Sequence, residues 1–150
     1  MSVIFSKSCE YALQASLYLA QQPRDRYALL RDISDRLDIP YHFLSKILQT
    51  LVRGGVVISS KGASGGFALA RSPKEIALVD IVRAVDGEKF LDACMLGFPE
   101  CGDKNPCPIH SQWKRAKGII LTILNQKKLS ELSKELDPKL NLIGRLSQKK

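Results

Sequence analysis

Apolar positions recur at helical spacing through most of the first 55 residues and then, for a short stretch, at alternating spacing. The segment "SKSCEYALQASLYLAQQ", residues 6–22, places Tyr11, Ala12, Ala15 and Leu19, with Leu13, Leu17 and Ala20, at the three- and four-residue intervals of an amphipathic helix. Pro23 ends it. Next, "LLRDISDRLDIPYHFLSKILQTLVRGG" holds two helical periodicities separated at Asp38-Ile39-Pro40. Leu30, Ile33 and Leu37 line the first, and Phe43, Leu44, Ile47, Leu48 and Leu51 line the second. Pro40 suits the opening of the second helix, where a missing N–H costs nothing, and Gly54-Gly55 suits its close.

The period then changes from 3.6 to 2. "VVISS" and "FALAR" predict two strands joined by the glycine-rich turn "KGASGG", a β-hairpin. After Pro73, "ALVDIVRAVDG" predicts a short helix ending at Gly87. From His110, "SQWKRAKGIILTILNQKKLSELSKEL" predicts one long amphipathic helix carrying Trp113, Ala116, Ile120, Ile123, Leu124, Leu129, Leu132 and Leu136, with Pro138 at its end. The fold class is therefore mainly α with a small β-hairpin wing: a winged helix-turn-helix plus a long C-terminal helix. Residues 1–87 form the DNA-binding domain, 88–110 a loop, 111–137 the helix and 138–150 a flexible tail. That helix is too apolar for a small winged domain to cover alone, so a homodimer is expected, each helix packing on its symmetry mate.

Charge sharpens the reading. Among 150 residues, 45% are apolar and 25% charged, and the formal net charge is +8. A basic chain of this composition suits a polyanion, whose condensed counterions are released as phosphates are neutralised. No apolar run approaches the ~20 residues of a membrane span, and the start lacks a secretory pattern. A cytoplasmic protein without membrane association is expected. In a helix-turn-helix, the second helix offers its N-terminal side chains to base edges in the major groove. Tyr41, His42, Ser45, Lys46 and Gln49 are those candidates: Gln49 can pair with adenine, and Lys46 can reach guanine or a phosphate. Lys61, Gly62, Ser64 and Gly65 of the hairpin tip are candidates for the minor groove. No nucleophile–base pairing or phosphate-binding glycine motif indicates an enzyme.

Three of the four cysteines lie in one Gly/Pro-rich segment with the spacing C-x6-C-x5-C-x2-H: Cys94, Cys101, Cys107 and His110. In a reducing compartment such a cluster points to metal or redox chemistry before structural disulfides. Thiolates suit iron–sulfur clusters and zinc. The loop lacks the tight C-x2-4-C pair common at zinc sites, and a thiol–disulfide switch is a third reading.

In this order, "YALQASLYLA", "IPYHFLSKILQTLVRGGVV", "SSKGASGGFALARSPKEIALVDIVRAVDG" and the three-cysteine loop resemble the IscR/NsrR-like winged-helix transcription regulators. The resemblance spans residues 3 to 136. It implies a homodimer that binds a pseudo-palindromic operator in double-stranded DNA, and an iron–sulfur cluster at Cys94, Cys101 and Cys107 that senses redox state, oxygen, nitric oxide or cluster supply. Repression is the expected sign. The family offers two fourth ligands. His110 matches the IscR-like histidine of a 2Fe–2S cluster, the favoured reading. Glu10, supplied by the partner subunit, matches the NsrR-like carboxylate of a 4Fe–4S cluster. Cys9 is a further candidate, though it reads more simply as a small packed helix residue. Two departures are plain: the first cysteine gap has six residues where the family has five, and Ser45 stands where IscR-like members carry glutamate. The competing readings are a winged-helix regulator with zinc or a thiol switch in the loop, and, more remotely, a cluster carrier or electron-transfer protein.

Overall fold

The computed structural model describes residues 4–135, and the expected tail lies outside the described residues. Helix α1 (Lys7–Ala20) starts where the Ser6 side chain accepts the Cys9 N–H at 3.0 Å, satisfying a donor that the first turn leaves unpaired. Helices α2 (Leu30–Leu37) and α3 (Tyr41–Arg53) form the helix-turn-helix. Between them Asp38 takes a left-handed conformation (φ 54°), which a short polar side chain tolerates, and Ile39 is buried. Strands β1 (Val57–Ser60) and β2 (Gly66–Leu69) pair antiparallel, Val57 opposite Leu69 and Ser60 opposite Gly66.

The hairpin is not free-standing. Ala28 and Phe67 exchange backbone hydrogen bonds of 2.8 Å each, which ties the wing to the segment before α2. Helix α4 (Leu78–Val85) begins with Asp80 accepting the Ala77 N–H at 2.9 Å. A single turn, α5 (Lys89–Asp92), leads into the cysteine loop, followed by α6 (His110–Gln126) and α7 (Leu129–Glu135).

The main core joins α1, α2, α3, the hairpin and α4 through Ile33, Ile39, Leu44, Leu48, Leu51, Val56, Val57 and Ile81. A second cluster packs Cys9 of α1 and Val79 and Val82 of α4 against Leu124 of α6. Removing these apolar side chains from water, at roughly 25 cal/mol per Å², fixes how α6 leaves the reading head.

Three expectations are corrected. The C-terminal helix is not continuous: Lys127 is extended (φ −82°, ψ 118°), and Lys128 bridges Ala77. There Lys127 accepts from the Leu78 N–H at 3.1 Å and Leu129 donates to Ile76 at 3.0 Å, so non-local partners replace helical ones. Leu129 is thereby buried in the main core, and Gln21, the residue that caps the end of α1, donates its side-chain amide to the Ser133 carbonyl of α7 at 2.9 Å. The distal part thus folds back on its own domain. Phe43 is not in the core: it is 41% exposed and meets Tyr11 edge-on, ring centroids 5.7 Å apart. The 88–110 segment also contains α5 and is not loop throughout. Among the described residues, no helix is long and apolar enough to cross a membrane.

Candidate functional site

The cysteine segment closes on itself by short turns. Gly97, in the left-handed region (φ 78°), donates to the Cys94 carbonyl at 3.0 Å. Gly102 and Asn105 exchange hydrogen bonds of 3.3 and 3.1 Å, and His110 donates its backbone N–H to Cys107 at 3.1 Å. These turns bring the Sγ atoms of Cys94, Cys101 and Cys107 within 4.8 Å of one another, all as free thiols.

Within this group the closest approaches are near hydrogen-bonding distance. Cys94 Sγ lies 3.7 Å from Cys107 Sγ, and His110 Nδ1 lies 3.5 Å from Cys101 Sγ. A tetrahedral ion with thiolate bonds near 2.3 Å and imidazole bonds near 2.05 Å would hold two sulfurs about 3.8 Å apart and a sulfur and nitrogen about 3.5 Å apart. Both pairs fit such sharing. The three thiols could hold a metal centre, and His110 is a further donor beside Cys101.

The electrostatics agree. Burial pushes the Cys94 thiol up, but backbone N–H groups of Phe98 and Leu96 and the neighbouring thiols outweigh it and bring Cys94 down to about 7. Cys101 accepts a backbone hydrogen bond from Cys107, yet burial and the two adjacent thiols drive it above the ordinary thiol value. Thiols this crowded cannot all ionise cheaply without a cation between them.

Helix α6 carries His110 and straps the loop down. Trp113 Nε1 donates to the Ala93 carbonyl at 2.9 Å, and Lys117 Nζ donates to Leu91 at 2.6 Å. Asp103 accepts from His110 Nε2 at 3.0 Å and from Lys114 Nζ at 2.8 Å. The Lys114 hydrogen bond, then that of His110, holds the Asp103 carboxyl below the usual carboxylate range. An open cleft of about 450 Å³, bordered by Cys101, Asp103, His110, Lys114 and Leu121, leads to this corner. Asp103, Trp113 and Lys117 were not anticipated as site residues. Trp113 and Lys117 reach the backbone carbonyls of Ala93 and Leu91, and Asp103 reaches side chains of α6, partners fixed only by the fold, although the i, i+4 spacing of His110 and Lys114 was a signal available in the sequence.

Of the other ligand candidates, Cys9 is fully buried in the second cluster, away from the loop thiols. Burial, followed by the nearby Asp86 charge, pushes its thiol up to about 12. Glu10 lies on α1, 15% exposed, with Lys7 Nζ at 3.2 Å.

On the opposite flank, Tyr41, His42, Lys46 and Gln49 are exposed on α3, and Ser45 is half-buried. Gln49 Nε2 lies 3.5 Å from Ser45 Oγ, and the Tyr41 and His42 rings meet edge-on at 5.7 Å. Lys61, Gly62 and Ser64 are exposed at the wing tip. Gly65 is buried within the turn, where an added Cβ would overlap the Ser60 carbonyl oxygen, so its lack of a side chain serves hairpin closure.

Comparison with known proteins bears on these features together. The family model Rrf2, described as an iron-dependent transcriptional regulator, matches residues 5–135. A candidate HTH-type transcriptional regulator of Aquifex aeolicus (strain VF5) is 38% identical over 120 residues, covering 79% of this chain and 83% of the relative. The HTH-type transcriptional regulator IscR of Yersinia pseudotuberculosis (serotype O:1b, strain IP 31758) is 32% identical over 127 residues, covering 85% and 77%. Among solved structures, T. potens IscR superposes with a TM-score of 0.70 at 27% identity, covering 93% of this chain and 90% of that one. CymR, the global cysteine regulator of B. subtilis, gives 0.75 at 23% identity, covering 91% and 100%, a likeness of fold alone.

Proposed function

Because the chain belongs to the Rrf2 family of iron-dependent transcriptional regulators, we propose that it is a homodimeric, cytoplasmic repressor whose operator affinity is set by a 2Fe–2S cluster held by Cys94, Cys101, Cys107 and His110. That it is a transcription regulator and not an enzyme follows from the family. The observation that carries the cofactor reading is the gathering of three free thiols within 4.8 Å of one another, with His110 Nδ1 3.5 Å from Cys101 Sγ. Those four side chains would supply the ligands of the cluster. When bound, a cluster with one imidazole ligand supplies one-electron chemistry at a raised potential.

The chain's own residues connect that site to DNA. Ligand residues drawn together order the loop, and Trp113 and Lys117 hold its start against α6. Helix α6 packs on α4 through Leu124, Val79 and Val82. Helix α4 abuts the end of α3, where a Cβ on Gly54 would sit 2.6 Å from Ala84 Cβ. Tyr41, His42, Ser45, Lys46 and Gln49 then meet the major groove of a pseudo-palindromic site, while Lys61, Gly62 and Ser64 meet the minor groove or phosphates, with Gly65 shaping the turn. The dimer places two such heads at a fixed separation. Its support is the exposed apolar face of α6, where Ile119 is 65% and Ile123 50% exposed. The cleft beside Cys101 and His110 admits small oxidants or nitric oxide. The resulting change in operator affinity cannot exceed the difference in binding between the loop-ordered and loop-released states.

The test is iron and acid-labile sulfide per chain on strictly anaerobic protein. About two of each is expected for this ligand set. About four irons would move the fourth ligand to Glu10 of the partner subunit. Zinc, or free thiols with neither iron nor sulfide, would overturn the cluster and leave a DNA-binding regulator with another sensor.

A further inference from the structure

Asp103 lies in the loop between two of the clustered thiols, yet it serves neither the core nor the reading face. The Gly102–Asn105 turn lifts it towards α6, where it meets two side chains one helical turn apart. Its Oδ1 accepts from His110 Nε2 at 3.0 Å, and both its oxygens accept from Lys114 Nζ, at 2.9 and 2.8 Å. Asp103 and Lys114 alone would be an ordinary surface ion pair, since their side chains are 70% and 60% exposed, and such pairs contribute little to stability. The third member changes the reading. His110 is only 17% exposed, and its other ring nitrogen faces Cys101 Sγ at 3.5 Å.

An imidazole can present either nitrogen to a metal, and the hydrogen bond made by one decides which is left for the other. Carboxylates commonly fill that outer position at metal-bound histidines, fixing ring orientation and raising the basicity of the ligand. We propose that Asp103, held by Lys114, is the positioning residue of the metal centre: it fixes the His110 ring so that Nδ1 faces the thiols and tunes His110 as a ligand. This rests on His110 being the fourth ligand.

The physical consequences separate geometry from charge. Asp103→Ala removes both acceptor and charge, freeing the ring to rotate. Asp103→Asn keeps an acceptor oxygen for Nε2–H but not the charge. Without the carboxylate the imidazole is a weaker donor to oxidised iron, so the reduced form gains.

The test uses the full chain, labelled with ¹⁵N-histidine, cluster-loaded anaerobically and compared at one pH. Pulsed EPR of the reduced protein reads nitrogen coupling to iron, and a redox titration reads the midpoint. Asp103→Ala is expected to broaden the nitrogen coupling and to shift the equilibrium about tenfold towards the reduced form, about 59 mV upward for one electron. Asp103→Asn is expected to restore the narrow coupling with part of the shift remaining. His110→Ala is the control and is expected to abolish the coupling. Should His110→Ala do so while Asp103→Ala keeps the wild-type coupling and midpoint, the role of Asp103 is overturned and the ligand assignment stands. Should His110→Ala leave the coupling unchanged, or the wild type show none, the ligand assignment fails and takes this inference with it.

Discussion

Cys9 sits in the first turn of α1, fully buried against Val79, Val82 and Leu124, and its chemistry is opposite to that of Cys94. Burial, reinforced by Asp86, pushes its thiol up to about 12, whereas Cys94 is drawn down to about 7. A raised folded-state value means that the fold favours the neutral thiol. The stability from Cys9 is fully present below the ordinary thiol range near 9 and is lost as pH rises through 9 to 12. Chemical denaturation from pH 8 to 11 should therefore show a steeper alkaline loss in wild type than in Cys9→Ala. The iron content of Cys9→Ala should match wild type, since Cys9 lies outside the thiol group. An equal slope in both proteins would contradict the buried-thiol assignment. The candidate ligand residues were legible because three thiols and a histidine in a Gly/Pro-rich stretch are unusual chemistry at short range. Asp103 was not, because nothing local distinguishes an aspartate that reaches α6 from one that faces water.

At the scale of elements, the hydrophobic periods marked α1 to α4 and the hairpin close to where they form. They failed at two places for one reason. The break at Lys127 has no proline or glycine to announce it; it exists because Ile76, Ala77 and Leu78 offer replacement hydrogen-bond partners and because Leu129 gains a buried site. Phe43 follows the apolar stripe of α3, but its ring stays exposed at the rim of the core, edge-on to Tyr11 of α1. The contact between α3 and α4 is close-packed at Gly54. With only 2.6 Å between an added Cβ at Gly54 and Ala84, Gly54→Ala must push the helices apart. Overpacking of this kind costs about 1–3 kcal/mol, to be read as a lower urea midpoint. Operator affinity should fall as well, with the iron content unchanged; wild-type stability would show that α3 and α4 separate freely.

For the whole molecule, the decisive surface is the outer face of α6. Ile119→Glu with Ile123→Glu places charges where a second copy is proposed to pack, so light scattering should read a monomer and operator binding should drop steeply. The same variant separates the two ligand sets. A monomer that keeps its iron completes the site with its own His110, whereas one that loses it depended on Glu10 of the partner subunit. A dimer persisting in this variant would move the interface elsewhere. The residue order by itself determined the helix-turn-helix, the wing, the basic character and the cysteine loop, because these follow from interactions between neighbours in sequence: periodicity, turn chemistry and side-chain type. Only the tertiary structure decided where the last helix breaks, that Phe43 stays at the rim of the core, and that Asp103 reaches His110. Each of those depends on segments far apart in the chain competing for one buried space or one hydrogen-bonding partner, and that competition is settled only once the chain has folded.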